Sequence, residues 1–112
     1  KRIFVAFGNH VGCPSVMFDK ANLENFSFSP KYTINLDWDA WITMTKIPGA
    51  FTCVKQELVL HRIHTESETT KGLKEYRRQQ EDLDIFNTLW PRPLAKIISK
   101  AYNLGYRSNT ID

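Results

Sequence analysis

The stretch at residues 35–41, with the sequence NLDWDAW, constrains the fold most. It places two carboxylates and two indoles directly ahead of apolar residues at helical spacing. Asp37 is expected as an N-cap and Asp39 as a first-turn acid that suits the helix dipole. The two tryptophans, three residues apart, are typical of one buried helix face. The pattern predicts a helix of about ten residues, a normal length, that ends at Pro48-Gly49.

The composition is that of one globular domain. The chain has 112 residues, of which 42% are hydrophobic and 12% aromatic, enough for a modest core. The net charge of +3 is too small to indicate a nucleic-acid partner. No apolar run approaches the roughly 20 residues that span a bilayer, and no signal-peptide pattern occurs. Cys13 and Cys53 are expected to be buried free thiols, which favours a cytoplasmic protein.

Short apolar runs rich in β-branched and aromatic residues predict extended segments. They lie at residues 3–7, 16–18, 51–54 and 58–64. Helical spacing predicts a short helix capped by Asp19, a helix capped by Thr69 or Thr70, and a helix that begins at Pro93 and is closed by Gly105. The sequence therefore predicts an α/β fold, or α+β for an isolated piece, with a few strands and three or four helices.

The strand predicted at residues 58–64 ends in two side chains that could act together. Alternation puts Arg62 and His64 on one face, with His61 on the other. A guanidinium beside an imidazole suits a phosphate, a carboxylate or a metal-bound diphosphate. An arginine paired with a local acid and a solvated histidine explain the same pattern, and that alternative stays open.

The order of these signals resembles the C-terminal, acceptor-side half of a family 2 glycosyltransferase with the GT-A fold. The resemblance covers roughly residues 8–67. It is carried, in order, by Asn9, by Pro14-Ser15-Val16-Met17-Phe18, by Asp37-Trp38-Asp39-Ala40-Trp41 and by Leu58-Val59-Leu60-His61-Arg62-Ile63-His64. It implies that residues 1–68 are the acceptor-side part of a GT-A catalytic domain and that residues 69–112 are a C-terminal helical extension packed on it.

The resemblance implies roles at the start of the central helix. Asp37 falls on the position of the general base, which takes the proton of the acceptor hydroxyl as that oxygen attacks the anomeric carbon of a nucleotide sugar. Leu36 stands where the family usually has a glutamate. Trp38 is a candidate for stacking on a sugar face, with at least one of Trp38 and Trp41 expected in the core. Asp39 is either a substrate-binding acid or only a helix-start acid.

The resemblance also implies roles away from that helix. Pro14 and Ser15 would line the acceptor side of the site. Arg62 and His64 would face the donor diphosphate and its divalent cation, Mg or Mn, with His64 as a candidate metal ligand. The hydroxyl-rich loop at residues 65–70 would cover the donor.

These roles predict a transferase that moves a sugar from a nucleotide-sugar donor to a hydroxyl of a glycan or lipid-linked acceptor, in polysaccharide or glycan synthesis. In the family, an N-terminal nucleotide-binding half with an Asp-x-Asp metal motif binds the donor, and these residues do not include it. The chain alone is therefore expected to be inactive and to bind no cation. A start at Lys1 without a methionine fits a piece of a longer protein. The sequence leaves open a homodimer formed through exposed apolar surface.

A second interpretation is a small basic interaction module that binds an anionic membrane surface or a protein partner. Its cations lie in the last two predicted helices: Lys71, Lys74, Arg77, Arg78, Arg92, Lys96 and Lys100. An ordinary solvated face is the competing explanation. Acids are interspersed among the cations: Glu75, Glu81, Asp82 and Asp84. Peripheral membrane contact would also suit a glycosyltransferase. A nucleic-acid partner is not predicted, because the aromatic residues are not interleaved with the cations.

Overall fold

The computed structural model describes residues 1–60 and 73–107, and the regular structure in these ranges is helical. It contains four α-helices: α1 (Arg2–Ala6), α2 (Leu36–Met44), α3 (Leu73–Leu89) and α4 (Arg92–Arg107). Two short 3₁₀ helices, Cys13–Ser15 and Lys20–Leu23, lie between α1 and α2. The second is capped as predicted, since the Asp19 carboxylate accepts a hydrogen bond from the Ala21 N–H.

The predicted α/β fold is wrong for the described residues, because no strand or sheet occurs among them. The apolar run at residues 3–7 forms most of α1, which buries Val5 and Ala6. Residues 16–18 and 50–60 have no regular strand, and every side chain from 50 to 60 is exposed. A strand needs a neighbouring strand to pair its backbone groups, whereas a helix pairs them locally. Residues 61–64 of the strand predicted at 58–64 lie outside the described ranges.

The helix predicted to begin within residues 35–41 is confirmed as α2, but it ends at Met44 and does not continue to Pro48-Gly49. Asn35 occupies the N-cap position, so the prediction of Asp37 as the cap is wrong, and Asp37 lies with Asp39 in the first turn. Trp38 and Trp41 are both 0% exposed and form the centre of the core. The exposed polar residues of α2 are few, which agrees with a helix surrounded by other elements.

Helices α3 and α4 pack on each other and on α2. The Phe86 ring of α3 lies edge-on to the Trp38 indole at 5.0 Å, and the Tyr102 ring of α4 lies 5.6 Å from it, between ring centroids. Helix α4 begins at Arg92 and continues through Gly105, so the predicted cap at Gly105 is wrong. Of the helices in the described ranges, none is both long and apolar enough to cross a membrane.

All three indole N–H groups donate to main-chain oxygens within the first eleven residues. The pairs are Trp38 to Val5 at 2.9 Å, Trp41 to Val11 at 3.1 Å and Trp90 to Ala6 at 2.8 Å. A buried indole N–H that loses its acceptor is costly, so each tryptophan anchors backbone as well as filling space. The tryptophans therefore hold the N-terminal segment against α2 and against the turn between α3 and α4.

After α1 the chain passes through a glycine that packs on Tyr102 of α4. Gly8 has a φ of +153°, and a Cβ at this position would overlap the Tyr102 ring. The next residue, Asn9, donates its N–H to the Tyr102 hydroxyl at 3.1 Å. Only glycine allows both this backbone conformation and this close approach.

Candidate functional site

Asp37 is held at the start of α2 with one oxygen available. Its Oδ1 accepts the Trp38 N–H at 2.8 Å, one of the helix-start donors that has no partner within the helix. Its other oxygen, Oδ2, accepts no hydrogen bond from any residue that the structure describes. The side chain is half-buried. The positive end of the helix favours a negative charge at this place. Asp37 is thus a fixed carboxylate that can reach a ligand.

The Cys13–Ser15 helix is a small-residue segment with an exposed surface. The Ser15 hydroxyl donates to the Gly12 carbonyl at 2.7 Å, and the Ser15 N–H donates to the same oxygen at 2.9 Å. Pro14 occupies the first turn, where its missing N–H costs nothing. The side chains of Pro14 and Ser15 are exposed. The local bonds therefore give this segment a defined shape that is open to solvent.

The structure brings this segment close enough to Asp37 for the carboxylate charge to act on Cys13. The pKa of the Cys13 thiol is raised, first by partial burial and then by the negative charge of Asp37. Electrostatic influence of this kind requires proximity. The Trp41 indole ties α2 to the Val11 carbonyl, just before the segment begins. Cys13 and Asp37, which a long loop separates in the sequence, therefore lie near each other.

The two cysteines do not match their prediction. Cys13 and Cys53 are free, but both are exposed rather than buried. Cys53 lies within residues 50–60, whose side chains are all exposed. Cys13 lies on the surface segment beside Asp37 and so reports on the charge of that carboxylate.

The remaining candidates on α2 have different surroundings. Trp38 has no exposed surface in this structure, so no ring face is available there for a sugar. Trp41 is equally buried, with the Phe18 ring stacked on it at 5.9 Å between centroids. Asp39 is half-buried, and its N–H donates to the Asn35 carbonyl as the first bond of the helix.

Arg62 and His64 lie outside the described residues, together with the loop at 65–70. Within residues 1–60 and 73–107, no group of three or more His, Cys, Asp or Glu side chains is arranged to hold a metal ion. The Mg or Mn ion expected near His64 stays a prediction.

Two acids of α3 complete the surroundings of the α2 start. Glu81 accepts hydrogen bonds from the backbone N–H groups of Thr33, Ile34 and Asn35, each at 3.0 Å. The Asn35 amide donates to Asp82 Oδ1 at 2.7 Å. Asn35 is 2% exposed and Asp82 0%. The site therefore depends on a helix that lies more than forty residues further along the chain.

Burial decides the electrostatics of Asp82. Loss of solvent raises the pKa of its carboxyl to about 6, although the Asn35 hydrogen bond and the Arg78 charge act in the opposite direction. The neighbouring Glu81 charge raises this pKa further. A buried carboxyl with this pKa is partly protonated at mildly acid pH.

The sequence contained one signal for this arrangement. Asp82 falls in helical register with Ile85, Phe86 and Leu89, on the apolar stripe of α3. An acid on an apolar stripe is expected to be buried and to have a partner. The interpretation of Asp82 from the sequence as part of a solvated charged face is wrong, because Asp82 is buried. Its partner Asn35 could not be identified from local pattern.

Comparison of the chain with protein-family models, with curated proteins and with solved structures gave no match. The site consists of a half-buried carboxylate, Asp37, whose Oδ2 accepts no hydrogen bond from the described residues. It is held at a helix start near an exposed turn of small residues.

Proposed function

We propose that this chain is the acceptor-side part of a glycosyltransferase, with Asp37 as the general base. The observation that carries the proposal is Asp37, whose Oδ2 accepts no hydrogen bond from the described residues and whose charge acts on Cys13 of the exposed Cys13–Ser15 turn. A base must be held within reach of the hydroxyl that it deprotonates, and the α2 start supplies a fixed carboxylate. The turn of small residues leaves room for a sugar ring next to it.

The chemistry assigned to this site is a displacement at an anomeric carbon. The acceptor oxygen forms a bond to that carbon while the bond to the nucleoside diphosphate breaks. The diphosphate leaves with the electron pair of that bond. The proton of the acceptor hydroxyl passes to Asp37 Oδ2. Donor binding is assigned to residues other than those of the described site.

Transfer assays test this proposal. The 112-residue chain is expected to release no nucleoside diphosphate from a panel of radiolabelled nucleotide sugars with oligosaccharide and lipid-linked acceptors. The longest reading frame that contains these residues is expected to transfer sugar from at least one of them. Turnover by the 112-residue chain alone would contradict the assignment of donor binding elsewhere. Failure of the longest reading frame with every donor and acceptor would overturn the transferase proposal.

A second proposed function is attachment of α4 to an anionic membrane surface. Leu94, Ile97 and Leu104 follow a spacing of three and seven residues along α4 and are 47%, 64% and 65% exposed. The helix contains no acidic residue, and its cations Lys96 and Lys100 are exposed. An exposed apolar stripe flanked by lysines suits a helix that lies in the membrane interface. This attachment is compatible with a transferase that uses a lipid-linked acceptor.

Vesicle sedimentation tests the attachment. The chain is expected to bind vesicles of phosphatidylcholine mixed with phosphatidylserine and to bind pure phosphatidylcholine weakly. A lysine near such a surface contributes about 1 kcal/mol, so the double variant K96E/K100E should lower partitioning by more than about tenfold. The matched control K20E/K46E changes two exposed lysines outside α4 and should lower partitioning to the vesicles less. Equal binding of parent and K96E/K100E would contradict the proposal.

A further inference from the structure

The backbone that leads into α2 is held by another helix, α3. Asn35 occupies the N-cap position but makes no side-chain bond to the helix start. Its amide points instead to Asp82 of α3. Asparagine at this position usually satisfies a backbone N–H of the first turn. Here the backbone N–H groups that lead into the helix are satisfied by a carboxylate of α3.

That carboxylate belongs to Glu81. Its Oε2 accepts from the Ile34 and Asn35 N–H groups and its Oε1 from the Thr33 N–H. The Glu81 side chain is 12% exposed, with Arg77 Nε at 4.0 Å from Oε1. Hydrogen bonds to an ionised acceptor are shorter and stronger than neutral ones. Three such bonds on three successive residues fix both the position and the direction of the entering backbone.

We infer that Glu81 is a positioning residue, whose carboxylate sets where the first turn of α2 lies and hence where Asp37 stands against the Cys13–Ser15 turn. Asp37 follows Asn35 by two residues, so a rotation or shift of the helix start moves its carboxylate. The inference rests on the proposed function only in naming Asp37 as the group that needs positioning. The position itself is measured without any reaction.

Cys13 is the reporter of that position. The Asp37 charge raises the pKa of the Cys13 thiol. With Cys53 changed to serine, Cys13 is the single thiol of the chain, and its pKa follows from the pH dependence of thiolate absorbance. The variant D37N removes the charge and is expected to lower this pKa. The difference between the two proteins measures how closely Asp37 approaches Cys13.

The test compares that difference with and without E81Q. Glutamine offers one acceptor oxygen and turns an NH₂ group toward backbone donors, so the three bonds cannot all form. With E81Q present, D37N is expected to change the Cys13 pKa by much less than it does in the parent. The amides of Thr33, Ile34 and Asn35 are expected to exchange with solvent faster. E24Q, the same change at an exposed glutamate, should alter neither measurement.

An unchanged effect of D37N in the presence of E81Q, with native tryptophan circular dichroism, would overturn the inference. If E81Q does not fold, E81D gives the same test, because it keeps the charge but withdraws it from the three amides. A loss of the D37N effect with E81D supports the inference, and a full effect contradicts it. Failure of the transferase proposal would leave these thiol measurements unchanged.

Discussion

Replacing Asp37 with asparagine in the transferase that contains this chain is expected to lower kcat by about 10²–10⁴, the range that a general base contributes. The amide cannot take the acceptor proton, yet its oxygen still accepts the Trp38 N–H, so α2 is preserved. The KM for the nucleotide sugar should change little, because Asp37 is assigned to the acceptor hydroxyl. Initial rates at varied donor and acceptor concentrations measure both constants.

The matched control is D19N. Asp19 is an exposed carboxylate that caps the short helix Lys20–Leu23, and asparagine caps equally well. This variant should keep the parent kcat. A D37N protein with full kcat removes Asp37 as the base. If D19N lowered kcat as much as D37N does, the effect would come from the loss of any negative charge and not from the site.

Stability is expected to rise as the pH falls from about 7.5 to about 5. The folded-state pKa of Asp82 is about 6, above the ordinary value of 3.8, because the carboxyl is buried. At pH 7.5 the folded state holds a costly buried charge. As the pH falls through 6 the folded state takes up a proton before the unfolded state does, so the free energy of unfolding increases. The full shift corresponds to about 3 kcal/mol, of which about 1.4 kcal/mol is gained between pH 7.5 and pH 5.

The charged groups around Asp82 do not reverse the predicted rise in stability as the pH falls. Arg78 and Glu81 are the charged groups that act on it, and their effects are included in its raised pKa. Asp84 behaves in the opposite way, because hydrogen bonds from Tyr32 and Lys31 lower its pKa below 3.8. The stability that Asp84 contributes is present above 3.8 and is lost only as the pH falls through its lowered pKa. The predicted rise therefore lies in a window that Asp84 does not affect.

Urea unfolding of D82N tests this prediction. Asparagine resembles the protonated carboxyl and still offers an oxygen to the Asn35 amide. The variant should be more stable than the parent by about 2 kcal/mol at pH 7.5 and should lose most of the pH dependence. E57Q, at an exposed glutamate, should show the same dependence of unfolding free energy on pH as the parent. A parent whose unfolding free energy stays flat from pH 7.5 to 5 would contradict the prediction.

Helices were predictable where their signals are local. The apolar spacing of Trp38 and Trp41 and the stripe of α4 both identify helices that the structure contains. Asp19 was identified as a cap for the same reason, since its partner is two residues away. Helix ends were less predictable. Gly105 continues α4, although glycine commonly follows a helix end.

Strands were not predictable from apolar runs alone. Residues 3–7 and 51–54 have similar composition, yet the first forms a helix and the second has no regular structure. Each strand requires a second segment to pair with, and no local pattern provides one. Val5 and Ala6 instead reach the core through the short turn of α1.

The sequence by itself determined that a helix begins near Asp37, with Asp39 in its first turn and with Trp38 and Trp41 buried, because helix spacing and charge preference act over a few residues. Tertiary structure alone decided that the Asp37 charge acts on Cys13, that Glu81 binds the backbone leading into α2 and that Asp82 is buried against Asn35. The bonds to Glu81 and Asp82 join residues 46 to 48 apart. Such pairings depend on which helix faces pack together, and that is settled by burial of the whole core rather than by neighbouring residues.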